Sequence, residues 1–261
     1  MRPDRADGEK PALTRCFRSP RRGGRRSSFL VMRLVLLHAL PLDGTMWANE
    51  MRPRLYPAIA PALYNLGESL EDWAVGVLDI AGDGPLVLVG SSVGGSCALE
   101  VARLAPHRVA AVVLIGAKTA HHPEPSFRDE AIRLLADGGM AEAWPRYWAP
   151  LFGARTAPAV VEGARRVAFQ QDISDVIRGV RAFHGRPDRA GFAQSWHKPL
   201  IVISGDQDRT PPPATAATVA SSAPRGEFHL VKDAGHYVSL EQPSAIGGIL
   251  RLVLHDLTDR P

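Results

Sequence analysis

Short apolar runs alternate with longer amphipathic segments between residues 32 and 257 of this chain. Continuous runs rich in valine, isoleucine and leucine occur at 34–37, 86–89, 109–115 and 200–203, and Phe228, Leu230 and Val231 mark one more strand. Runs that are apolar throughout are typical of parallel strands covered on both faces. Segments with helical periodicity separate them, at 70–80, 93–104 and 244–257. The pattern predicts an α/β fold with a doubly wound, mostly parallel sheet.

Residues 118–197 interrupt this alternation, because they contain no strand pattern and four segments of helical character. About eighty residues are too many for a simple connection between two strands. We therefore predict a helical cap at 118–197, inserted into a core built from 32–117 and 198–261. The cap aromatics are candidates for lining a pocket, although the sequence assigns none of them individually: Trp144, Tyr147, Trp148, Phe152, Phe169 and Phe183.

The formal net charge of +4 is unevenly divided along the 261 residues. Residues 1–31 hold nine basic and three acidic side chains, a net charge of +6, which leaves −2 for the remainder. This basic segment lacks apolar periodicity and is rich in Pro, Gly and Arg, so we predict that it is disordered. No nucleic-acid-binding motif accompanies it, and we expect no nucleic-acid partner. The sequence leaves open whether Met32 is the natural first residue.

The composition excludes several other classes of protein. The two cysteines, Cys16 and Cys97, are too few for a disulfide framework or a four-thiolate zinc site. The longest apolar stretches fall well short of the roughly 18 residues that a membrane span needs. We expect a cytoplasmic protein with no membrane association, no metal and no cofactor.

A candidate nucleophile lies in the segment Gly90-Ser91-Ser92-Val93-Gly94-Gly95, between a predicted strand and a predicted helix. A nucleophile elbow requires this strand, turn and helix, because the serine backbone is strained and bulky neighbours two positions away would collide. Gly90 and Gly94 meet that requirement around Ser92. The same residues could also form an ordinary tight turn.

Acidic and histidine residues follow two later strands. Asp206 and Asp208 come after the run at 200–203, and His236 comes after the last predicted strand. Open α/β sheets place their sites at the carboxyl ends of strands. A serine hydroxyl needs an imidazole to accept its proton and a carboxylate to orient that imidazole. Ser92, Asp208 and His236 supply these groups, with Asp206 as the alternative acid.

From about 32 to 257 the chain resembles the α/β-hydrolase fold superfamily, in the branch that carries a helical cap after the sixth strand. That branch includes enol-lactonases, small esterases and carbon–carbon bond hydrolases. The matching motifs are His38 with Pro41 and Trp47, the elbow at 90–95, Gly205 to Asp208, and Gly235-His236 with 240–243.

The resemblance implies roles for particular residues. Its Gly-x-x-Asp spacing selects Asp208 as the acid, and the backbone N–H groups of Leu40 and Val93 correspond to the oxyanion hole. His38 corresponds to a structural histidine. The chain departs from the family where His38-Ala39 replaces the usual His-Gly.

These observations predict a cofactor-independent serine hydrolase that cleaves a small carboxylic ester or lactone through an acyl-enzyme. Its expected partner is a small-molecule acyl substrate, and the oligomeric state is not predicted. Two alternatives remain, a meta-cleavage type C–C bond hydrolase and a ligand-sensing relative with vestigial turnover. His121 and His122 have no acidic or thiol partner at ligand spacing, so we expect no metal site there.

Overall fold

The computed structural model describes residues 32–47 and 56–259. One sheet contains six strands: β1 (Arg33–Leu37), β2 (Ala58–Ile59), β3 (Leu86–Ser91), β4 (Val109–Ile115), β5 (Leu200–Gly205) and β6 (Gly226–Val231). The helices of the described residues are α1 (Leu70–Ala81), α2 (Val93–Leu104), α3 (Pro125–Ala143), α4 (Pro158–Gln170), α5 (Ile173–His184), α6 (Ala190–Gln194), α7 (Pro213–Ser222), α8 (Val238–Glu241) and α9 (Pro243–Asp259). The predicted basic segment at 1–31 lies outside the described residues.

The strands are ordered β2-β1-β3-β4-β5-β6, and every neighbouring pair is parallel. The sheet therefore grows in one direction from β1 to β2 and in the other from β3 onward. Doubly wound sheets bind ligands at the carboxyl ends of the strands where such a reversal occurs. The predicted α/β fold with a mostly parallel sheet is confirmed, and the elbow and the loop after β1 lie at the reversal.

Burial explains why the strands read as continuous apolar runs. Every residue of β3 and of β5 is buried, since helices cover the sheet. Helix α1 begins with a capping box, in which Ser69 accepts from the Asp72 N–H and the Asp72 carboxylate accepts from the Ser69 N–H. Helix α2 packs against α1, β3 and β4, which holds the residues after β3 in a fixed orientation.

The segment between β4 and β5 is helical, as the sequence predicts, and contains α3 to α6. Within α3 the backbone breaks at Gly139, where φ is 63°, so this segment is two helices joined by a kink. A π-helical turn, Trp144–Trp148, follows. Among the described residues this segment follows β4 and precedes β5.

Within the part of the chain that the structure describes, none of the helices combines the length and the apolar character needed to cross a bilayer.

Candidate active site

The predicted elbow is formed by the junction of β3 and α2. Ser92 adopts a φ of 52° and a ψ of −116°, a left-handed conformation that is strained for a residue with a side chain. Its N–H donates to the Ile115 carbonyl at 2.9 Å, which fixes the turn against β4. The backbone strain that the motif predicts is thus present at the serine itself.

Two glycines permit the close packing around this turn. A Cβ atom added at Gly90 would lie 2.3 Å from the Gly94 carbonyl oxygen, and one at Gly94 would lie 2.2 Å from the Leu37 carbonyl oxygen. Both contacts are with backbone atoms, which cannot move aside as a flexible side chain can. The first turn of α2 therefore lies directly against the end of β1.

Asp208 and His236 form a buried pair. The His236 Nδ1 lies 3.0 Å from Asp208 Oδ2 and 3.2 Å from Oδ1, and the Asp208 side chain is completely buried. The Thr210 N–H donates to Asp208 Oδ1 at 2.8 Å. Gly116, with a φ of 56°, leaves room for the pair, since a Cβ there would lie 3.1 Å from the His236 Nδ1. With Nδ1 donating to the carboxylate, Nε2 is free to accept a proton.

Asp206 has a different environment. Its Oδ1 accepts from the Ala234 N–H at 3.3 Å, and its Oδ2 lies 3.7 Å from the Lys232 ammonium. It stabilises the turn between β6 and the histidine loop. The geometry favours Asp208 as the partner of His236.

Ser92 and His236 line the same cavity, of about 160 Å³, at the carboxyl edge of the sheet. Leu40 lines it from the loop after β1. Thr210, whose N–H donates to Asp208, lines it as well. The remaining wall comes from the cap: Phe127, Ala131, Tyr147, Trp148, Leu151, Val180, Phe183 and His184. The structure therefore brings together at one cavity the serine, the histidine and the oxyanion-loop residue that the sequence singled out.

The two candidate oxyanion donors lie on neighbouring elements. Val93 is the first residue of α2, where a backbone N–H has no partner within the helix. Leu40 is followed by a cis peptide bond to Pro41, and its carbonyl accepts a hydrogen bond of 2.8 Å from the Tyr237 hydroxyl. Tyr237 thus fixes the loop that carries Leu40, a function that no pattern in the sequence indicates.

His38 is a structural histidine, as the resemblance implies. Its ring is buried, its Nε2 accepts from the Leu63 N–H at 3.0 Å, and its Nδ1 lies 3.2 Å from the Ala39 carbonyl oxygen. Burial lowers the pKa of His38 to about 4, so the ring is neutral near pH 7. A neutral ring that donates at Nδ1 and accepts at Nε2 matches both neighbours.

The cap and the histidine loop are linked through Glu241. Its Oε2 accepts from the Gly153 N–H at 2.8 Å, from the Gly235 N–H at 3.0 Å and from the Thr156 hydroxyl. The His236 N–H itself donates to the Leu151 carbonyl at 2.8 Å. The position of His236 therefore depends on the cap as well as on the core.

The cap aromatics divide into two groups. Tyr147, Trp148 and Phe183 line the cavity, whereas Trp144, Phe152 and Phe169 are absent from its wall. Phe169 is exposed, with the Arg165 guanidinium 4.7 Å from its ring centre. Phe127 and His184 line the cavity although the sequence did not single them out. Burial and the nearby Arg186 lower the pKa of His184 to about 4, which makes it a neutral polar group in an aromatic wall.

The remaining candidates do not line this cavity. Cys97 is buried, and burial raises the pKa of its thiol, as expected for a small core residue. The His121 N–H donates to Asp188 at 3.0 Å. Within residues 32–47 and 56–259, no cluster of histidine, cysteine and acidic side chains is suited to hold a metal ion.

A sequence profile described as the alpha/beta hydrolase family matches residues 34–246, which is most of the chain. The chain belongs to this family. The 2-hydroxymuconate semialdehyde hydrolase of Pseudomonas sp. strain CF600 is 26% identical over 247 residues, covering 83% of this chain and 84% of that protein. Such hydrolase relatives, together with the fold, identify this member as an enzyme of the hydrolase class.

Solved structures show the same architecture. An esterase from Thermogutta terrifontis superposes with a TM-score of 0.79 at 25% identity, covering 87% of this chain and 90% of the esterase. The enol-lactonase from Burkholderia xenovorans LB400 gives a TM-score of 0.74 at 21% identity, covering 87% and 92%. The second similarity is one of fold alone.

Proposed function

We propose that this enzyme is a serine hydrolase that cleaves a small carboxylic ester or lactone. The observation that carries the proposal is one arrangement: the left-handed Ser92 shares a cavity with His236, whose Nδ1 is paired with the buried Asp208. An imidazole oriented in this way has Nε2 available to remove the proton of an attacking hydroxyl.

In the proposed reaction, the Ser92 Oγ attacks the carbonyl carbon while His236 accepts the hydroxyl proton. The carbonyl oxygen becomes negatively charged, and the N–H groups of Leu40 and Val93 donate to it. His236 then returns the proton to the leaving alkoxide, and Asp208 stabilises the transient imidazolium. Water then attacks the acyl carbon while His236 accepts a proton from it, and His236 passes that proton to the departing Ser92 Oγ, which releases the acid and restores the Ser92 hydroxyl.

The size and polarity of the cavity support a small acyl group. About 160 Å³ lies below the range of roughly 300–1,000 Å³ typical of drug-sized ligands. Its cap wall consists of aromatic and aliphatic side chains with the neutral His184 as a polar exception. We propose that short or compact acyl groups are preferred over long chains.

Replacement of Ser92 by alanine tests the proposal. With p-nitrophenyl acetate as the substrate, we expect Ser92→Ala to lose roughly 10³-fold or more in kcat. Ser91→Ala is the matched control, because the Ser91 hydroxyl is buried and has no hydrogen-bond partner among the described residues. Its kcat should stay within about twofold of the wild type. Equal activity in the wild type and Ser92→Ala would refute the proposal.

A second candidate is hydrolysis of a carbon–carbon bond, and it rests on the similarity to the 2-hydroxymuconate semialdehyde hydrolase over 83% of this chain. Ser92 and His236 would keep the same roles, but the atom that leaves the carbonyl carbon would be a carbon and not an alkoxide oxygen. Comparison of kcat/KM for a short ester, a lactone and a ring-fission dienoate separates the two activities. A preference for the dienoate by tenfold or more would select the second candidate.

The same experiment addresses a vestigial, ligand-sensing role. One equivalent of alcohol released as Ser92 is acylated, followed by no measurable release of the acid, would favour sensing over catalysis. Steady release of both products with repeated turnover would exclude it.

A further inference from the structure

A second cavity, of about 540 Å³, lies next to the catalytic cavity and is larger than it. It is bounded by the segment that follows β4, by α6, by the loop that follows β5 and by α7. Thr210 lines both cavities, and its N–H donates to Asp208 at 2.8 Å. The second cavity therefore shares a wall with the loop that carries the proposed catalytic acid.

The charges in this cavity are all positive. Lys118 and Arg209 line it, and no aspartate or glutamate does. Neither cation forms an ion pair or a side-chain hydrogen bond with a described residue, in contrast to Arg178 or Arg189, which pair with carboxylates. The two cations therefore form a positive region without an anionic partner in the cavity.

Two of the nearby acids are engaged elsewhere, and a third, Glu124, does not line the cavity. Asp208 is paired with His236, and Asp188 accepts from the N–H groups of His121 and Ala190. Burial lowers the pKa of Lys118, and the neighbouring Arg186 lowers it further, whereas Glu124 and Asp208 act in the opposite direction. A partly buried ammonium without a direct partner is stabilised when an anion binds to it.

The remaining lining combines small apolar residues with hydroxyl side chains, Gln194 and His122. Ala120, Pro211 and Val219 contribute carbon surface to the same cavity. Such a wall buries the hydrocarbon part of a ligand, and the cations hold its charged end. An inorganic anion would contact the cations but would leave the apolar wall without a partner.

We propose that this cavity is an accessory binding site for an organic carboxylate with an apolar body, held by Lys118 and Arg209. The site is distinct from the catalytic cavity and does not depend on the proposed ester chemistry. The carboxylate binds to the ammonium and guanidinium groups, and the hydrocarbon part packs against Ala120, Pro211 and Val219.

Octanoate is the probe, and its binding is measured by isothermal titration calorimetry. The whole chain is titrated both untreated and after exposure to a small alkyl fluorophosphonate, which occupies the catalytic cavity when it modifies Ser92. We expect one equivalent of octanoate to bind to the second cavity in both preparations, and the variants below locate this binding whether or not Ser92 reacts. Octanamide, which has the same chain without the charge, should bind at least tenfold more weakly, and inorganic phosphate should bind more weakly as well.

Matched variants locate the site. Lys118→Met and Arg209→Gln should each weaken octanoate binding by roughly tenfold or more, since each removes a charged partner. Lys232→Met and Arg251→Gln are the controls, because neither side chain lines the cavity, and they should leave the affinity unchanged. Circular dichroism and thermal unfolding should match the wild type in all four variants.

Several results would overturn the proposal. Octanoate binding that disappears when Ser92 is modified would place the ligand in the catalytic cavity. Equal affinity for octanamide, or for inorganic phosphate, would exclude an organic carboxylate as the preferred ligand. Unchanged binding in Lys118→Met and Arg209→Gln would exclude this cavity. The catalytic proposal is tested separately by Ser92→Ala, so failure of one leaves the other intact.

Discussion

Substitution of Gly94 by alanine tests the packing that places the elbow beside the end of β1. A Cβ at this position would lie 2.2 Å from the Leu37 carbonyl oxygen, 2.6 Å from its carbonyl carbon and 2.7 Å from the His38 carbonyl oxygen. Real Cβ atoms essentially never approach closer than 3.0 Å, so one backbone must move by about 0.8 Å. β1 is a central strand with β2 and β3 on either side, which leaves it little freedom to move.

The expected loss in the free energy of unfolding follows from this steric overlap. Overpacking of a well-packed core typically costs 1–3 kcal/mol, and a methyl group forced against two backbone carbonyls belongs at the upper end, about 3 kcal/mol. For a chain of this size, 1 kcal/mol shifts the midpoint of thermal unfolding by roughly 2–4 °C. We therefore expect Gly94→Ala to lower Tm by roughly 6–12 °C.

Gly163→Ala is the matched control. Gly163 lies within α4, and a Cβ there would have no neighbour within 4 Å. Alanine is favoured over glycine in a helix by about 1 kcal/mol, so this variant should raise Tm by roughly 2–4 °C. Both variants are compared with the wild type by differential scanning calorimetry and by hydrolysis of p-nitrophenyl acetate.

The activity measurement addresses the site itself. Displacement of α2 from β1 separates the Val93 and Leu40 amides, so Gly94→Ala should also lower kcat by roughly tenfold or more at a temperature where it stays folded. Wild-type Tm and wild-type kcat in Gly94→Ala would show that α2 and β1 do not approach as closely as the structure indicates. The proposed convergence of the two amides would then have no basis.

Three further predictions follow from individual contacts. Asp208→Asn should lower kcat by roughly 10³–10⁴-fold at pH 7, measured by ester hydrolysis, whereas Asp206→Asn should change it less than fivefold. Glu241→Ala leaves the N–H groups of the cap and the histidine loop unpaired, so urea unfolding should show a loss of about 2–4 kcal/mol, whereas Glu162→Ala, which removes an exposed carboxylate paired with Arg165, should show no measurable change. The depressed pKa of His38, about 4 against 6.5, means that the unfolded chain binds the extra proton, so stability falls as pH drops from 6.5 towards 4. His38→Gln should therefore reduce the difference in unfolding free energy between pH 7 and pH 5 by roughly 2 kcal/mol.

Each of these predictions can fail in a defined way. A larger loss of activity in Asp206→Asn than in Asp208→Asn would reverse the assignment of the acid. Equal stability of Glu241→Ala and Glu162→Ala would mean that the link between the cap and His236 contributes nothing. An unchanged pH dependence in His38→Gln would show that His38 is not held neutral by burial.

The local sequence pattern determined much of the fold because a strand buried on both faces is apolar at every position. Strands β3 and β5 are fully buried, so their residues are apolar without alternation and can be recognised in isolation. Helix α2 has the predicted bounds, Val93–Leu104, because Gly94 and the strained Ser92 define its start. The spacing of Gly90 and Gly94 around Ser92 reflects a steric requirement that is local in the chain.

Only the tertiary structure decided which distant groups meet. Glu241 joins the cap to the histidine loop, and Tyr237 donates to the Leu40 carbonyl across 197 positions of sequence. Phe127 and His184 line the cavity through the packing of cap helices whose periodicity does not fix their orientation. Periodicity records which face of an element is buried, but the partner of that face is chosen by contacts between remote segments. The sequence therefore determined the elements and the candidate chemistry, and packing determined the pocket around them.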